Sequence, residues 1–438
     1  MSTEVFPLNQ GQMKAAEAFF SFLFTPDRYF RLRGPAGVGK TFWLRFVVDV
    51  LIPRYFETCQ MMGIEPEFTT MEFTATTNKA SAELERATKR PCGTIHSFLR
   101  LKVVNNYSTG RSDLVKQQNF MVHQNMILFI DEAYMIDSPL LKFLNEGTQN
   151  CKIVFIGDDC QLGPVMEKIS PITKIEGPSF ELTEPMRNAD QPVLQDLCNQ
   201  LRQTVKTGVF NPIQPVEGVI DHLSNAEMEL GLEHYFKEQA AAARILAYTN
   251  DRVIAYNDHI RDLRNLGSEY TLGECLVNNS SVQIGTRRLS VEAEYEIIKV
   301  GDLVQVPVGV GVDGSSVYMD CRTVDLQGQL GDVFNEVKIP IDRDHFSSLI
   351  RHYQKKKDWA HYFALKEGYP DLRPREAATV HKAQGSSYDA VFIDLDTISK
   401  VKDPSEAARM LYVAFSRARH RVFLYGTLAS KYGGILPY

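Results

Sequence analysis

The 438-residue sequence predicts an α/β fold with parallel sheets and helices on both faces, and three observations predict it. A strand-like run at 28–33 leads into the turn Gly34-Pro35-Ala36-Gly37-Val38-Gly39-Lys40-Thr41 and then into an apolar helical run. Strand-like runs recur at 68–74, 126–130 and 151–156 with helix-like segments between them, the alternation of a parallel sheet. From about residue 264 the texture changes to short strands between Gly and Asp turns, over 291–340, which predicts a small antiparallel β-barrel inserted into the second half.

In chain order, residues 11–24 read as an amphipathic to buried helix, followed by the first strand, the glycine turn and its helix. Residues 101–125 read as a polar β-hairpin turning around Ser108-Thr109-Gly110. Residues 345–366 return to a charged helical pattern, and 377–393 and 408–426 resume the α/β style. The second α/β region is therefore split by an insertion of roughly 264–375.

Composition narrows the classes. Hydrophobic residues are 44% and charged residues 23%, ordinary for a globular chain. Seven scattered cysteines form no CxxC pair, against a disulfide framework or zinc site and for a reducing, intracellular setting. No apolar run approaches the roughly 18 residues of a membrane span, and residues 1–10 lack the basic-then-apolar order of a secretory signal. The net charge of −6 excludes a globally basic coat but leaves room for a local basic channel.

The eight residues from Gly34 to Thr41 match GxxxxGK[ST] in full. Backbone N–H groups at a helix N-terminus favour an anion there, Lys40 would reach the β and γ phosphates, and the Thr41 hydroxyl would bind Mg²⁺. A nucleotide site also needs a second carboxylate for the metal and a group to polarise water. The buried run Ile127-Leu128-Phe129-Ile130 ends in Asp131 for Mg²⁺ and Glu132 for the attacking water. A third strand ends in Gly157-Asp158-Asp159-Cys160-Gln161, with Gln161 placed to sense a γ-phosphate.

These segments resemble motifs I, II and III of the superfamily 1 helicases. Thr74–Ala80 is similar to motif Ia, Gly93–Phe98 to Ib, Glu181–Arg187 to IV, Val380–Gly385 to V and Leu411–Arg419 to VI, in the family's order. The likeness is greatest to the Dda-like group of superfamily 1B, the RecD-like branch that moves 5′ to 3′. Thr76 and Gly163 stand where relatives carry proline, and Ser416 where they often carry threonine.

The resemblance implies two RecA-like P-loop NTPase domains. Residues 1–185 would form domain 1A, with a β-hairpin pin at about 99–125. Residues 186–263 and 376–438 would form 2A, and 264–375 an SH3-like β-barrel with a helical brace. It implies an ATP-dependent DNA helicase that uses ATP and Mg²⁺ and acts on single-stranded and fork DNA. The alternatives are a single-strand translocase, a dependent subunit of a recombination complex, or a P-loop kinase.

By resemblance Gln12 reads adenine, Gln384 and Gly385 join the ATP site, and Arg187 and Arg417 meet the γ-phosphate across a cleft. Guanidinium groups suit that task, because they stay charged and bind phosphate oxygens through parallel N–H groups. DNA would be gripped by Thr77, Asn78, Thr94, His96, Phe98, Thr379 and His381, with Tyr107 at the pin tip. Residues 79–102 hold six basic side chains against two acids, interleaved with Phe98 and His96, as a backbone-tracking groove needs. A monomer in the cytoplasm, the host's if the chain is phage-encoded, is expected. Contacts with a single-strand-binding or replication protein are the expected partnerships.

Overall fold

The computed structural model describes residues 7–437 apart from 165–166, 185–190, 239–241, 268, 311–315 and 330. The chain falls into two compact units. One holds residues 7–102, 116–223 and 383–437, the other 103–115 and 224–382.

The first unit is built on a six-stranded sheet, ordered Ser179–Glu181, Tyr29–Arg33, Lys152–Gly157, Met126–Asp131, Thr70–Ala75, Gly93–Thr94. Every pairing in it is parallel. Its central strands are apolar along their middles, because a parallel sheet is covered on both faces. Ile127 to Ile130 and Ile153 to Ile156 are all buried.

One face is packed by an aromatic cluster. Phe19 meets Phe30 and Trp43 edge-on at 5.6 Å each, and Trp43 stacks on Phe30 at 6.1 Å. Trp43 belongs to the helix Lys40–Phe46 that follows the glycine turn, so this cluster anchors the turn to the sheet. Aromatic pairs of this kind add roughly 0.5–1.5 kcal/mol each beyond the area they bury.

The apolar helical run after the turn is not one regular helix. Val47–Leu51 is a π-helical turn, and an α-helix resumes at Ile52–Met62. Pro53 is the physical reason. It has no N–H to offer the Asp49 carbonyl and its ring crowds that group, so the ladder widens there. The first unit also contains the parallel strands Ile220–Leu223, Ala418–Tyr425 and Tyr388–Asp394 and the helices Pro192–Thr207 and Pro404–Phe415.

The second unit holds a five-stranded antiparallel sheet, ordered Val333–Pro340, Ser316–Gly328, Glu294–Val310, Cys275–Asn278, Leu372–Pro374. The predicted β region is present but wider than 291–340, since both flanking strands lie outside that range. Among the described residues no pairing joins the two edge strands, so the sheet is open rather than a closed barrel. One core lies around Ile297, Val324 and Leu326. A second packs Val306, Met319 and Cys321 against Leu349, Tyr353 and Leu365 of the helices Arg343–Lys356 and Trp359–Gly368.

The hairpin of Leu101–Asn106 and Arg111–Lys116 turns at Asn106, whose carbonyl accepts from Gly110 N at 2.8 Å. Gly110 has φ +70°, and a Cβ there would fall 2.3 Å from the Trp359 ring, so position and backbone both demand glycine. The hairpin is tied further by Asn105 donating to Glu367 and by Tyr107 edge-on to Phe363 at 5.4 Å. No helix among the described residues is long and apolar enough to cross a membrane.

Candidate nucleotide and DNA site

Parallel register brings the C-terminal strand ends of the first unit to one edge, where α/β sheets place ligands. Arg33 is opposite Gly157, and Ala75 is opposite both Asp131 and Thr94. The segments that follow these strands, beginning at Gly34, Thr76, Ile95, Glu132 and Asp158, therefore leave the sheet side by side.

The glycine turn is held in a phosphate-loop conformation. Gly37 and Gly39 have φ of 84° and 79°, and Gly39 caps the helix that begins at Lys40. Lys40 Nζ donates to the carbonyls of Gly34 at 2.7 Å and Pro35 at 2.9 Å, so the ammonium spans the loop. Pro35, Ala36, Gly37 and Val38 line a cavity of about 270 Å³ together with Cys198 and Tyr412.

Gln12 is fully buried. Its Oε1 accepts from Asn9 N in a capping box, and its Nε2 donates to the carbonyls of Val38 at 3.3 Å and Gly39 at 3.5 Å. The carboxamide thus braces the phosphate loop from below.

Asp131 ends its strand and accepts from Glu132 N at 2.9 Å. Glu132 sits at φ +48°, an uncommon value for a non-glycine residue and one that recurs at functional sites. Burial pushes the Glu132 carboxyl up to about 7, with Asp131 adding to the rise and Lys40 and Arg417 opposing it. Burial also raises Asp131, against the pull of Lys40. A carboxyl titrating near neutrality is what a general base needs. The donor set suits Mg²⁺. Thr41 offers a hydroxyl and Asp131 a carboxylate, both hard oxygen ligands.

Gln161 is buried, and its Oε1 has no hydrogen-bond partner. Arg417 is also buried. Its guanidinium donates to the carbonyls of Val413 and Ser386 at 3.1 Å each and to Ser416 Oγ at 2.9 Å. Gln384 Nε2 reaches the Leu162 carbonyl at 3.5 Å, and Gly385 turns at φ +81°. Arg187 lies outside the described residues.

Of the predicted DNA grips, Thr77 and Thr94 are helix caps, accepting from Ala80 N at 3.1 Å and Ser97 N at 3.2 Å. Each hydroxyl keeps its own hydrogen to donate. Asn78 is exposed beside Thr77. Burial holds His96 below its ordinary value, so it is the neutral imidazole that stands there. Phe98 is stacked on His123 at 4.0 Å, and Lys79 donates to Ser386. In the second unit Thr379 is buried as the cap of Lys382 N, His381 is exposed, and Tyr107 is 59% exposed at the hairpin turn.

Sequence reasoning missed a buried charge cluster behind Gln161. Arg202 meets Asp159 at 3.1 Å, Glu181 at 3.0 Å and Asp158 at 3.5 Å, and Arg33 meets Asp159 at 2.8 Å. Asp158, Asp159 and Cys160 present ligand atoms within 4.8 Å of one another, but the two arginines already balance both carboxylates. The available signal was a lone arginine in the apolar stripe of Pro192–Thr207, which a buried acid must answer. Arg409 joins the same turn, donating to the carbonyls of Asp159 and Gln161 at 2.6 Å each.

Residues 7–212 match the model of an AAA domain, and 376–425 match the UvrD-like helicase C-terminal domain. The ATP-dependent DNA helicase Dda of Enterobacteria phage T4 is 24% identical over 95% of this chain and 98% of its own. The chain is a homologue of the Dda helicase. An uncharacterized protein of Acanthamoeba polyphaga mimivirus, R530, is 22% identical over 90% of this chain and 94% of its own. Among solved structures, Bacteroides Pif1 helicase with ADP-AlF3 and single-stranded DNA has a TM-score of 0.46 at 16% identity, covering 98% of this chain and 95% of that one. The Dda match runs through both units, and the two model matches divide the candidate residues. Lys40, Asp131, Glu132 and Gln161 fall in the first, and Thr379, His381, Gln384 and Arg417 in the second.

Proposed function

We propose that this chain is an ATP-dependent DNA helicase that translocates on single-stranded DNA from 5′ to 3′ and opens forked duplexes. The observation that carries the reading is the convergence of a phosphate loop, an acid pair with Glu132 near 7, and buried Gln161 at one sheet edge of a Dda homologue.

In the reaction the loop amides and Lys40 bind the triphosphate, the ammonium exchanging its carbonyl partners for phosphate oxygens. Glu132, ionised above about pH 7, takes the proton of the attacking water. Gln161, whose Nε2 can donate to a phosphate oxygen while its unpartnered Oε1 accepts from the attacking water, and the Arg417 guanidinium are the buried polar groups on hand to register the γ-phosphate. Thr41 and Asp131 would hold Mg²⁺, which neutralises phosphate charge as the γ-phosphoryl group transfers.

We assign domain 1A to residues 1–185, 2A to 186–263 and 376–438, and the β-rich insertion with its helical brace to 264–375. Thr77, Asn78, Thr94, His96, Phe98, Thr379 and His381 grip the strand. The hairpin at about 99–125, with Tyr107 at its turn, splits the duplex. Gln12 serves the adenine side of the site, and Arg187 is the second finger. The reading extends to a monomer acting in phage-type replication or recombination in the host cytoplasm, with a single-strand-binding protein as a natural partner.

The deciding experiment is ATP hydrolysis with and without single-stranded DNA, followed by strand displacement from duplexes with a 5′ or a 3′ tail. Stimulation with displacement from the 5′ tail alone is expected. Stimulation without displacement would replace the helicase with a translocase. Absence of stimulation would return the kinase and dependent-subunit readings.

A further inference from the structure

The helix Pro404–Phe415 touches the turn that bears Gln161 at three points. Arg409 donates to the carbonyls of Asp159 and Gln161, and Tyr412, one turn later on the same face, donates its hydroxyl to Asp158 Oδ2 at 2.5 Å. The other Asp158 oxygen accepts from Cys160 N at 3.1 Å, so this carboxylate holds the turn's backbone on one side and the Tyr412 phenol on the other. Arg202 reaches the same carboxylate only from its Oδ1 side, at 3.5 Å, so the phenol is the hydrogen-bond donor to Oδ2.

The Tyr412 ring lines the cavity that the phosphate loop also lines, but its hydroxyl is given to Asp158. Tyr412 and Asp158 are buried, and burial beside Asp158 keeps the phenol protonated well past its ordinary range, so it stays a donor. The turn they hold ends in Gln161, whose buried Oε1 has no partner within the protein. The helix that supplies them ends at Phe415 and runs directly into Arg417, whose charge reaches Glu132.

We propose that Tyr412 and Arg409 are positioning residues that clamp the Asp158–Gln161 turn, fixing Gln161 for hydrolysis and tying its placement to Arg417. The clamp rests on the nucleotide-hydrolysing reading of the site and adds to it a mechanical link between the γ-phosphate sensor and the arginine. A clamp acts on the geometry of the transition state and not on nucleotide capture. Its loss therefore belongs in kcat, and it must vanish when the group it positions is gone.

The test is a double-mutant cycle on turnover without DNA, with Gln161→Ala and Tyr412→Phe singly and together. Nucleotide affinity is read in parallel with a fluorescent ATP analogue. Tyr412→Phe should lower kcat about tenfold, the scale of a lost hydrogen bond to a charged group, with KM and analogue affinity within about twofold. In the Gln161→Ala background the same change should cost no more than about twofold. Losses that multiply, a rise in KM with kcat intact, or no loss at all would each overturn the clamp. If Tyr412→Phe fails to fold, Arg409→Lys enters the same cycle, since it alters the two carbonyl contacts without touching the buried phenol. Because DNA-free turnover is the readout, a chain indifferent to DNA would defeat the helicase reading and leave this test standing.

Discussion

The two units solve the same problem, covering a sheet, in opposite ways. In the first, six strands run parallel, the central two are buried on both faces, and what varies is the segment leaving each strand end. In the second, the strands Glu294–Val310 and Ser316–Gly328 run long and antiparallel, and side chains alternate between core and solvent. Leu303 and Tyr318 remain exposed beside buried Val306 and Met319. A parallel sheet collects polar groups at one edge and builds a reaction site there. An antiparallel sheet with one wet face builds a surface and a support, and the hairpin leaning on Trp359 and Phe363 uses it as one.

The contrast predicts that damage at the first unit's edge stops hydrolysis, while damage to the second unit's hairpin spares hydrolysis and slows unwinding. The sharpest break is Arg417→Ala. Turnover should fall by roughly 10³-fold, the low end for an arginine finger, with ATP affinity nearly kept. A loss confined to affinity would make Arg417 a binding group. Lys40→Ala should cost roughly 10²–10³-fold, as for removal of one transition-state donor, and leave single-strand binding intact in a filter or anisotropy assay. Turnover near the parent value would remove the phosphate-loop assignment.

The pH profile follows from the raised Glu132 carboxyl. As base it must be ionised, so turnover should level off above pH 8 and fall about tenfold per unit below pH 6. Glu132→Gln should abolish that acidic limb together with most of the rate. A limb surviving in this variant would belong to another group.

The second unit should respond more gently. Gly110→Ala places a Cβ against the Trp359 ring at positive φ, a strain of roughly 1–2 kcal/mol. Strand displacement should slow several-fold while DNA-stimulated hydrolysis holds. Equal loss of both would mean that the hairpin grips DNA instead of splitting it. Tyr107→Ala, which removes one edge-on contact with Phe363 and an exposed ring, should show the same pattern with the smallest effect.

Much of the first unit could be read from local pattern. The residues of the phosphate loop are adjacent in the chain, and its conformation depends on Gly37 and Gly39, which announce themselves. Asp131 and Glu132 follow four apolar residues, and that order alone implies acids emerging from a buried strand. The hairpin turn was visible in Ser108-Thr109-Gly110. Other features were not local. The strands Cys275–Asn278 and Leu372–Pro374 are short and about ninety residues apart, and only their pairing sets the second at the edge of the sheet. Arg202 looks like any helix arginine until Asp158, Asp159 and Glu181 fold onto it. Gln12 is matched by resemblance to an adenine contact, and packing gives its amide to the backbone of the loop.

By itself the sequence determined the chemistry this protein has at its disposal. Lys40, Thr41, Asp131, Glu132 and Gln161 sit where strand ends and glycine turns must present them, and such short-range geometry is dictated by backbone sterics and hydrophobic period. The tertiary structure alone decided which of those groups share an environment. It raised Glu132 to about 7 by burial, set Arg409 and Tyr412 against the turn of Gln161, and assigned Trp359 to the hairpin. Desolvation and long-range contact depend on what the fold brings from elsewhere in the chain, and no local stretch of sequence carries that information.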